Sequence, residues 1–446
     1  MTRDMTEGNI TKHLLLYSVP LIFSDLLQQL YHTVDSVVVG QFKGKEALAA
    51  IGAAGPIMNI LIFMIAGITM GASILMAEYF GAKNYKRLRE ELSTSLGAGL
   101  ILTVVLTVLF YAGSDFFIRL TRTPVEISAL AARYLRVISG GLIFTFLYNI
   151  LAAALRATGD SKTSLYVLMF STAINIFLDV YFIRNLQLGV LGAAYATVIS
   201  EAVSSVALLI YIYRKVPALC LKPSEIRIDL QLLKSTVNYS SVSALQQTML
   251  YLGRLLVQSG VNTLGVDAIA AFNAASIIDS YVLAPGSSIA SSVTTFSAQN
   301  KGGRKYDRIP KAFKITMVIA VTYTVFVTFA ILFAGRPLFE IFLKPSETNA
   351  IAIGLAYLRP MACFYFMAGI TYSFQGYFRG IGKLKFTLMG TLIQMPIRII
   401  LTYSLIADIG LKSVAVGTTL GWTCMIIFDI YVYKKYGSSF EQVQEK

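Results

Sequence analysis

Six oxygen-bearing side chains stand inside long apolar runs of the sequence: Asp25, Asp35, Asn175, Asp179, Thr197 and Glu201. An ionisable group in such a run is costly to bury unpaired, so its presence points to function. Asn175 and Asp179 are four apart and share one face of a helix. Two carboxylates, an amide oxygen and a hydroxyl can coordinate a small hard cation such as Na⁺. The same two carboxylates can instead share a proton, one being raised by its neighbour. Both chemistries stay open, and both describe a site that takes up and releases a cation. Other chemistry finds no carrier. Gly44-Lys45 lacks the glycines of a phosphate loop, and there is no Gly-x-Gly-x-x-Gly, His-Glu-x-x-His or serine nucleophile elbow. His13 and His32 are too few for a histidine metal centre, and Cys220, Cys363 and Cys424 are scattered. No enzyme and no cofactor are expected.

The elements that must hold these residues follow from composition. Of 446 residues, 56% are hydrophobic and 14% charged, too little charge to cover a water-soluble particle of this size. The reading is an all-α polytopic membrane protein. Runs of about 20 residues each predict twelve spans: 14–38, 48–77, 92–113, 129–154, 163–184, 189–213, 234–258, 268–298, 312–334, 350–375, 384–407 and 412–433. The seventh is the weakest, carrying Asn238, Gln246, Gln247 and Arg254, and is expected to face the bundle interior. Pro20 and Pro396 are candidate bends.

Lysine and arginine set the orientation. Of the 38, the two termini and the even-numbered loops carry 25, and the other loops carry eight. That places both termini in the cytoplasm. The net charge of +14 is explained by those loops, and no nucleic-acid partner is implied. The chain also contains itself twice. Shifted by 221, Gly44–Ala54 falls on Gly265–Ala275 with six of eleven positions identical. Gly81, Tyr85 and Arg87 meet Gly302, Tyr306 and Arg308 at the same shift. Gln28-Gln29 meets Gln246-Gln247 at 218, and Arg156-x-x-Gly159 meets Arg379-x-x-Gly382 at 223. Six spans separate the copies, so both enter the membrane from the same side. The expected organisation is an N-terminal six-helix lobe, 1–213, a cytoplasmic linker, 214–233, and a C-terminal six-helix lobe, 234–446. The lobes would be related by a pseudo-twofold axis along the membrane normal.

Span direction gives depth. Asp25 falls near the middle of span 1, Asp35 and Asp179 in outer thirds, Thr197 about a third of the way down span 6, and Glu201 near its middle. Glu201 and Asp25 are expected to face the cavity or to pair within the lobe, Glu201 with an arginine. The second lobe holds Arg254, Arg359 and Arg398 against Asp279, so Asp279 is expected to be neutralised by arginine. This split favours cation or proton binding in the first lobe. Small residues such as Gly97-x-Gly99 and Gly140-Gly141 permit close helix approach.

Twelve spans in two homologous halves, with Tyr31-His32-Thr33-Val34-Asp35-Ser36, Ala77-Glu78-Tyr79-Phe80-Gly81-Ala82, Leu155-Arg156-Ala157-Thr158-Gly159-Asp160, Asn175-Ile176-Phe177-Leu178-Asp179 and Gly189-Val190-Leu191-Gly192-Ala193-Ala194 in that order, resemble the multidrug and toxic compound extrusion (MATE) family of the MOP superfamily. The resemblance implies a secondary antiporter of a bacterial or archaeal inner membrane. It would expel amphipathic, often cationic drugs by alternating access in exchange for H⁺ or Na⁺. It places the coupling site, and the metal site if Na⁺ is the ion, on Asp35, Asn175, Asp179 and Thr197. Asp25, Gln28, Tyr31, Glu201, Gln246, Arg254, Asp279 and Arg398 are expected to line or support the cavity. The DinF-like branch fits better than the NorM-like one, whose added carboxylates in spans 7 and 10 are missing here. Small amphipathic molecules and the bilayer are the expected partners, and a monomer is expected. The alternative is a lipid-linked oligosaccharide or lipid II flippase of the same superfamily, with Arg254, Arg359 and Arg398 available for pyrophosphate.

Overall fold

The computed structural model covers the backbone of residues 2–121 and 123–437, and the side chains of all of these except 31–48, Pro223 and Gly437. The described chain is helical throughout its length. Thirteen α-helices follow one another: α1 (Ile10–Gly81), α2 (Tyr85–Ala112), α3 (Ser114–Leu120), α4 (Val125–Ala157), α5 (Ser161–Val180), α6 (Val190–Lys215), α7 (Leu230–Val261), α8 (Val266–Gly302), α9 (Arg308–Glu340), α10 (Thr348–Cys363), α11 (Tyr365–Gly380), α12 (Leu384–Ile409) and α13 (Lys412–Val432). In hydrocarbon a helix satisfies every backbone group within its own segment, which is why an apolar chain of this kind takes no other form.

Among the described residues, ten stretches are long and apolar enough to cross a bilayer, two of them, Ile10–Leu30 and Ala49–Gly81, inside α1. Helices α10 and α11 form an eleventh, bent by 53° at their junction. At that junction Phe364 N–H bonds back only three residues, to Met361 C=O at 3.0 Å, so the ladder tightens and the axis turns. Helix α7, the weakest predicted span, is not apolar enough to join them. Counting α7, the described helices reach the expected twelve spans. Its buried positions include the polar Thr236, Ser240, Ser243 and Gln246 beside the apolar Leu232, Val257 and Val261, so its polar composition follows from facing protein rather than lipid. Pro396 lies inside α12, which runs on past it to Ile409.

The fold divides into two compact units. One contains Met1–Asp4 and Phe23–Ala244, the other Met5–Ile22 and Leu245–Lys446. In the first, Ala50, Ala54, Leu135, Ile138, Ile183 and Ala193 are part of a buried apolar cluster. Helix α6 packs on α4 and α5, and α4 packs on α2. Gly99 lies so close to Phe146 that a Cβ there would overlap the ring. In the second unit the larger core includes Val257, Phe272, Tyr357, Met361 and Trp422, and α8, α9 and α11 pack on one another.

Backbone geometry repeats at the spacing of the sequence repeat. Lys83 and Arg304, 221 apart, are both non-glycine residues with positive φ, 56° and 58°. Gly159 and Gly382 end matching helices at φ 83° and 82°. Gly189 (φ 62°, ψ −138°) and Gly410 (φ 57°, ψ −136°) adopt the same conformation. Side-chain bias toward Ala and Gly cannot produce paired positive-φ turns at a nearly constant offset of 221 to 223.

Candidate functional site

Helix α5 is built inside out. Its seven buried residues are Ser161, Thr163, Ser164, Ser171, Thr172, Asn175 and Asp179, all polar. Tyr166, Phe170 and Phe177 are 64%, 57% and 68% exposed, as lipid-facing side chains of a membrane helix are. The positions 164, 171, 172, 175 and 179 recur at helical spacing, so one polar face points into the first unit. Asn175 and Asp179 are almost completely enclosed, at 1% and 0% exposure. Neither side-chain atom of the Asn175 amide has a hydrogen-bond partner among the described residues. The helix starts where it does because Asp160 caps it, accepting from Thr163 N–H at 3.1 Å and Thr163 Oγ1–H at 2.8 Å. Burial alone would push Asp160 up, but hydrogen bonds to the carboxylate, including those from Thr163, outweigh it and hold Asp160 below its ordinary value.

Helix α6 runs antiparallel to α5 in fixed register. Ser171 Oγ donates to Ser200 C=O at 3.1 Å, and Tyr211 Oη donates to Asp160 Oδ2 at 3.1 Å. Both bonds give the same pairing, since Ser171 is as far from Asp160 as Tyr211 is from Ser200. On that register the half-buried Thr197 stands one residue from the level of Asn175, on the same face of α6 as Ser200, Ser204 and Tyr211. Three of the four expected coupling residues, Asn175, Asp179 and Thr197, are thus carried by one helix pair. The fourth, Asp35, lies outside the described side chains, as does Tyr31. Asp25 is half-buried on α1 and Gln28 is exposed. Glu201 corrects an expectation: its partner is Thr145 Oγ1 on α4, at 2.5 Å, and among the described residues no arginine pairs with it. Thr145 C=O in turn accepts from Asn149 Nδ2 at 2.8 Å. Among the described residues, no three His, Cys, Asp or Glu side chains come together as metal ligands.

The second unit differs in sign. Asp279 on α8 accepts hydrogen bonds from Tyr357 Oη, at 2.8 Å, and from Tyr365 Oη. These tyrosines lie on either side of the bend between α10 and α11. Among the described residues no arginine reaches ion-pair distance of Asp279, contrary to expectation. Arg398 is half-buried. Two hydroxyls satisfy the carboxylate without bringing a guanidinium into contact. Gln246 on α7 donates through Nε2 to Thr387 C=O and Thr391 Oγ1 on α12, at 3.2 and 3.1 Å, so it braces two helices. Arg254 and Arg359 are exposed.

Asp429 and Arg379 are among the buried groups that the sequence did not single out for the site. Asp429 on α13 is fully buried, and neither carboxylate oxygen has a hydrogen-bond partner among the described residues. Arg379, at the end of α11, donates to Gln375 Oε1 at 2.7 Å, and its Nε has no hydrogen-bond partner among the described residues. The signal for Asp429 was its place inside the last apolar run. Outside the spans, the linker is fastened to the start of α2. Arg89 pairs with Glu225, Arg87 with Asp229, and Arg227 with Glu90, at 3.1, 3.3 and 2.9 Å. Glu225 and Asp229 are held below the usual carboxylate range, first by backbone N–H groups of Lys222 and Leu232 and then by these arginines.

Comparison with known proteins adds ancestry to this geometry. The MatE family profile matches residues 20–181 and again 243–404. A probable multidrug resistance protein of Bacillus subtilis (strain 168), YoeA, is 31% identical over 362 residues, 79% of this chain and 78% of that protein. A second from the same organism, YpnP, is 26% identical over 444 residues, 97% of each. Among solved structures, an outward-facing conformation of a multidrug resistance MATE family transporter of the MOP superfamily aligns with a TM-score of 0.92. It covers 98% of both chains at 23% identity.

Proposed function

The chain belongs to the MatE family, and from that membership we propose that it is a multidrug efflux transporter driven by a cation gradient. The observation that carries the coupling half of this reading is the enclosed polar face of α5, with Asn175 and Asp179 inside the first unit. The cation, H⁺ or Na⁺, is taken up at Asp35, Asn175, Asp179 and Thr197. Its positive charge neutralises the carboxylates and lowers the affinity of the cavity for a bound amphipathic cation, which leaves outward. Release of the cation inward resets the site. Coupling requires only that each ligand favour a different conformation. The DinF-like branch is favoured because α7, α10 and α11 contain no Asp or Glu.

The two halves of the sequence repeat, 1–213 and 234–446, act as the two lobes of an alternating-access cycle, joined by the linker 214–233. The protein works as a monomer in the inner membrane, with both termini in the cytoplasm. The relatives' names, multidrug resistance proteins, support drug export and lend nothing to the flippase alternative.

The test is ethidium efflux from energised cells or vesicles with ΔpH and a Na⁺ gradient imposed separately. One gradient drives efflux, and Asp179→Asn loses it by on the order of a hundredfold or more, as for a group whose charge change is the coupling step. Gradient-driven efflux at full rate in Asp179→Asn removes this site from the mechanism.

A further inference from the structure

The polar face of α5 extends well beyond the residues that bind the cation. From Asp179 it continues through Asn175, Thr172 and Ser171 to Ser164, Thr163 and Asp160. At a helical rise of 1.5 Å per residue that is about 28 Å, close to the thickness of the hydrocarbon. One position on this face is apolar, near Leu168. The register fixed by the Ser171–Ser200 and Asp160–Tyr211 bonds sets Ser204 of α6 at that level. Ser204 Oγ and Ser171 Oγ both donate to Ser200 C=O, at 2.7 and 3.1 Å, so polar groups of the two helices meet at that carbonyl.

Tight packing alone would not select these side chains. Alanine and glycine bring helices together with no polar atom to satisfy. Here Ser164 Oγ, Thr172 Oγ1, Ser200 Oγ and the Asn175 amide are each buried with no hydrogen-bond partner among the described residues. Each of these side chains is at most 6% exposed. Buried polar atoms in this state are satisfied by water where there is room for it. The row of such atoms ends beside the helix-capping carboxylate of Asp160 and the Tyr211 hydroxyl, so groups able to bind water are set along an apolar layer.

We propose that the α5–α6 seam is the hydrated inward route of the coupling cation, leading from Asn175 and Asp179 to the Asp160–Tyr211 end. It rests on the reading of that face as the coupling site. Hydroxyl and carbonyl oxygens with intervening water serve either a proton relayed from oxygen to oxygen or a Na⁺ ion exchanging oxygen ligands. No bond to the protein forms or breaks beyond protonation of the carboxylate where the route begins.

The experiment uses full-length protein in proteoliposomes and the combined variant Thr172→Val, Ser200→Ala, Ser204→Ala, which keeps the packing volume and removes the hydroxyls. Turnover is expected to fall on the order of tenfold at unchanged ethidium affinity, the pattern of groups used in transit rather than in binding. The loss is read under ΔpH and under a Na⁺ gradient, which identifies the ion. Full turnover in this variant, with Asp179→Asn inactive, overturns the route and leaves the coupling site standing. Should Asp179→Asn transport normally, the coupling reading fails, and a second measurement still decides the seam. In a background with Cys220, Cys363 and Cys424 changed to Ser, Ser204→Cys is treated with a charged thiol reagent, beside Val206→Cys on the exposed face of α6. Selective modification of Ser204→Cys shows water in the seam; no reaction above the Val206→Cys level overturns it.

Discussion

A carboxylate inside an apolar helix has to be answered by something, and this chain answers in different ways at different residues. Asp279 receives two tyrosine hydroxyls, Glu201 one threonine hydroxyl, and Asp429 nothing among the described residues. A hydrogen bond to a charged acceptor is worth roughly 1.5–3 kcal/mol. Tyr365→Phe should therefore lower stability by about that amount, seen as a lower unfolding midpoint in detergent. An unchanged midpoint would mean the bond contributes nothing. The reverse sign is expected at Asp429. Replacing an unpaired buried carboxylate with a neutral amide relieves desolvation, so Asp429→Asn should raise the midpoint, by about 1 kcal/mol. A lower midpoint would reveal a partner for Asp429. Sequence made Asn175 and Asp179 legible because two polar groups at four-residue spacing in an apolar run have few structural uses. It did not reveal which oxygen or hydroxyl answers Glu201 or Asp279. Partners come from helices far away in sequence, and arginine was the nearest guess from charge alone.

At the level of elements, helix ends and helix faces carry the information. Asp160 ends one turn and starts α5, positioning every polar residue of that face. Loss of an N-cap costs about 1 kcal/mol, so Asp160→Ala should lower the unfolding midpoint accordingly. The pH dependence follows from the direction of the Asp160 shift. Its folded value lies below the ordinary one, so its stabilisation is complete above about 3.9 and is lost as pH falls through the lower folded value. The gap between wild type and Asp160→Ala measured across pH should be constant near neutrality and narrow in that acid window. A gap that widens with acidification would contradict the sign. The spans themselves were legible because length and apolarity are local properties. The break at Phe364 was not, since it depends on how α10 and α11 pack in the second unit. Helix α7 was legible as an oddity, and its buried Thr236, Ser240, Ser243 and Gln246 give the reason.

For the whole chain, duplication is the organising fact, and the two copies have diverged in charge more than in backbone. At the offset of 223 that relates Arg156-x-x-Gly159 to Arg379-x-x-Gly382, Asn175 corresponds to Arg398 and Asp179 to Thr402. The position that is acidic in one copy is neutral in the other, and its amide neighbour has become a guanidinium. On the proposed reading of Asn175 and Asp179, the first copy alone would attract a cation there, so one coupling site is expected rather than two. The backbone has been kept more strictly. Gly189 and Gly410 share a conformation with φ near 60° and ψ near −137°, a region open to glycine and strained for any residue with a Cβ. Neither has an atom within 4 Å of where a Cβ would stand, so an added methyl meets no neighbour and the cost is purely conformational. Gly189→Ala and Gly410→Ala should each destabilise by roughly 1–3 kcal/mol, and by equal amounts. Because the two glycines belong to separate compact units and share no partner, the double variant should lose the sum. Unfolding in mixed micelles measures all three. Unequal single losses would mean that the turns, though alike in dihedral angles, are held by different surroundings. A double loss smaller than the sum would mean that the two copies do not fold as independent repeats.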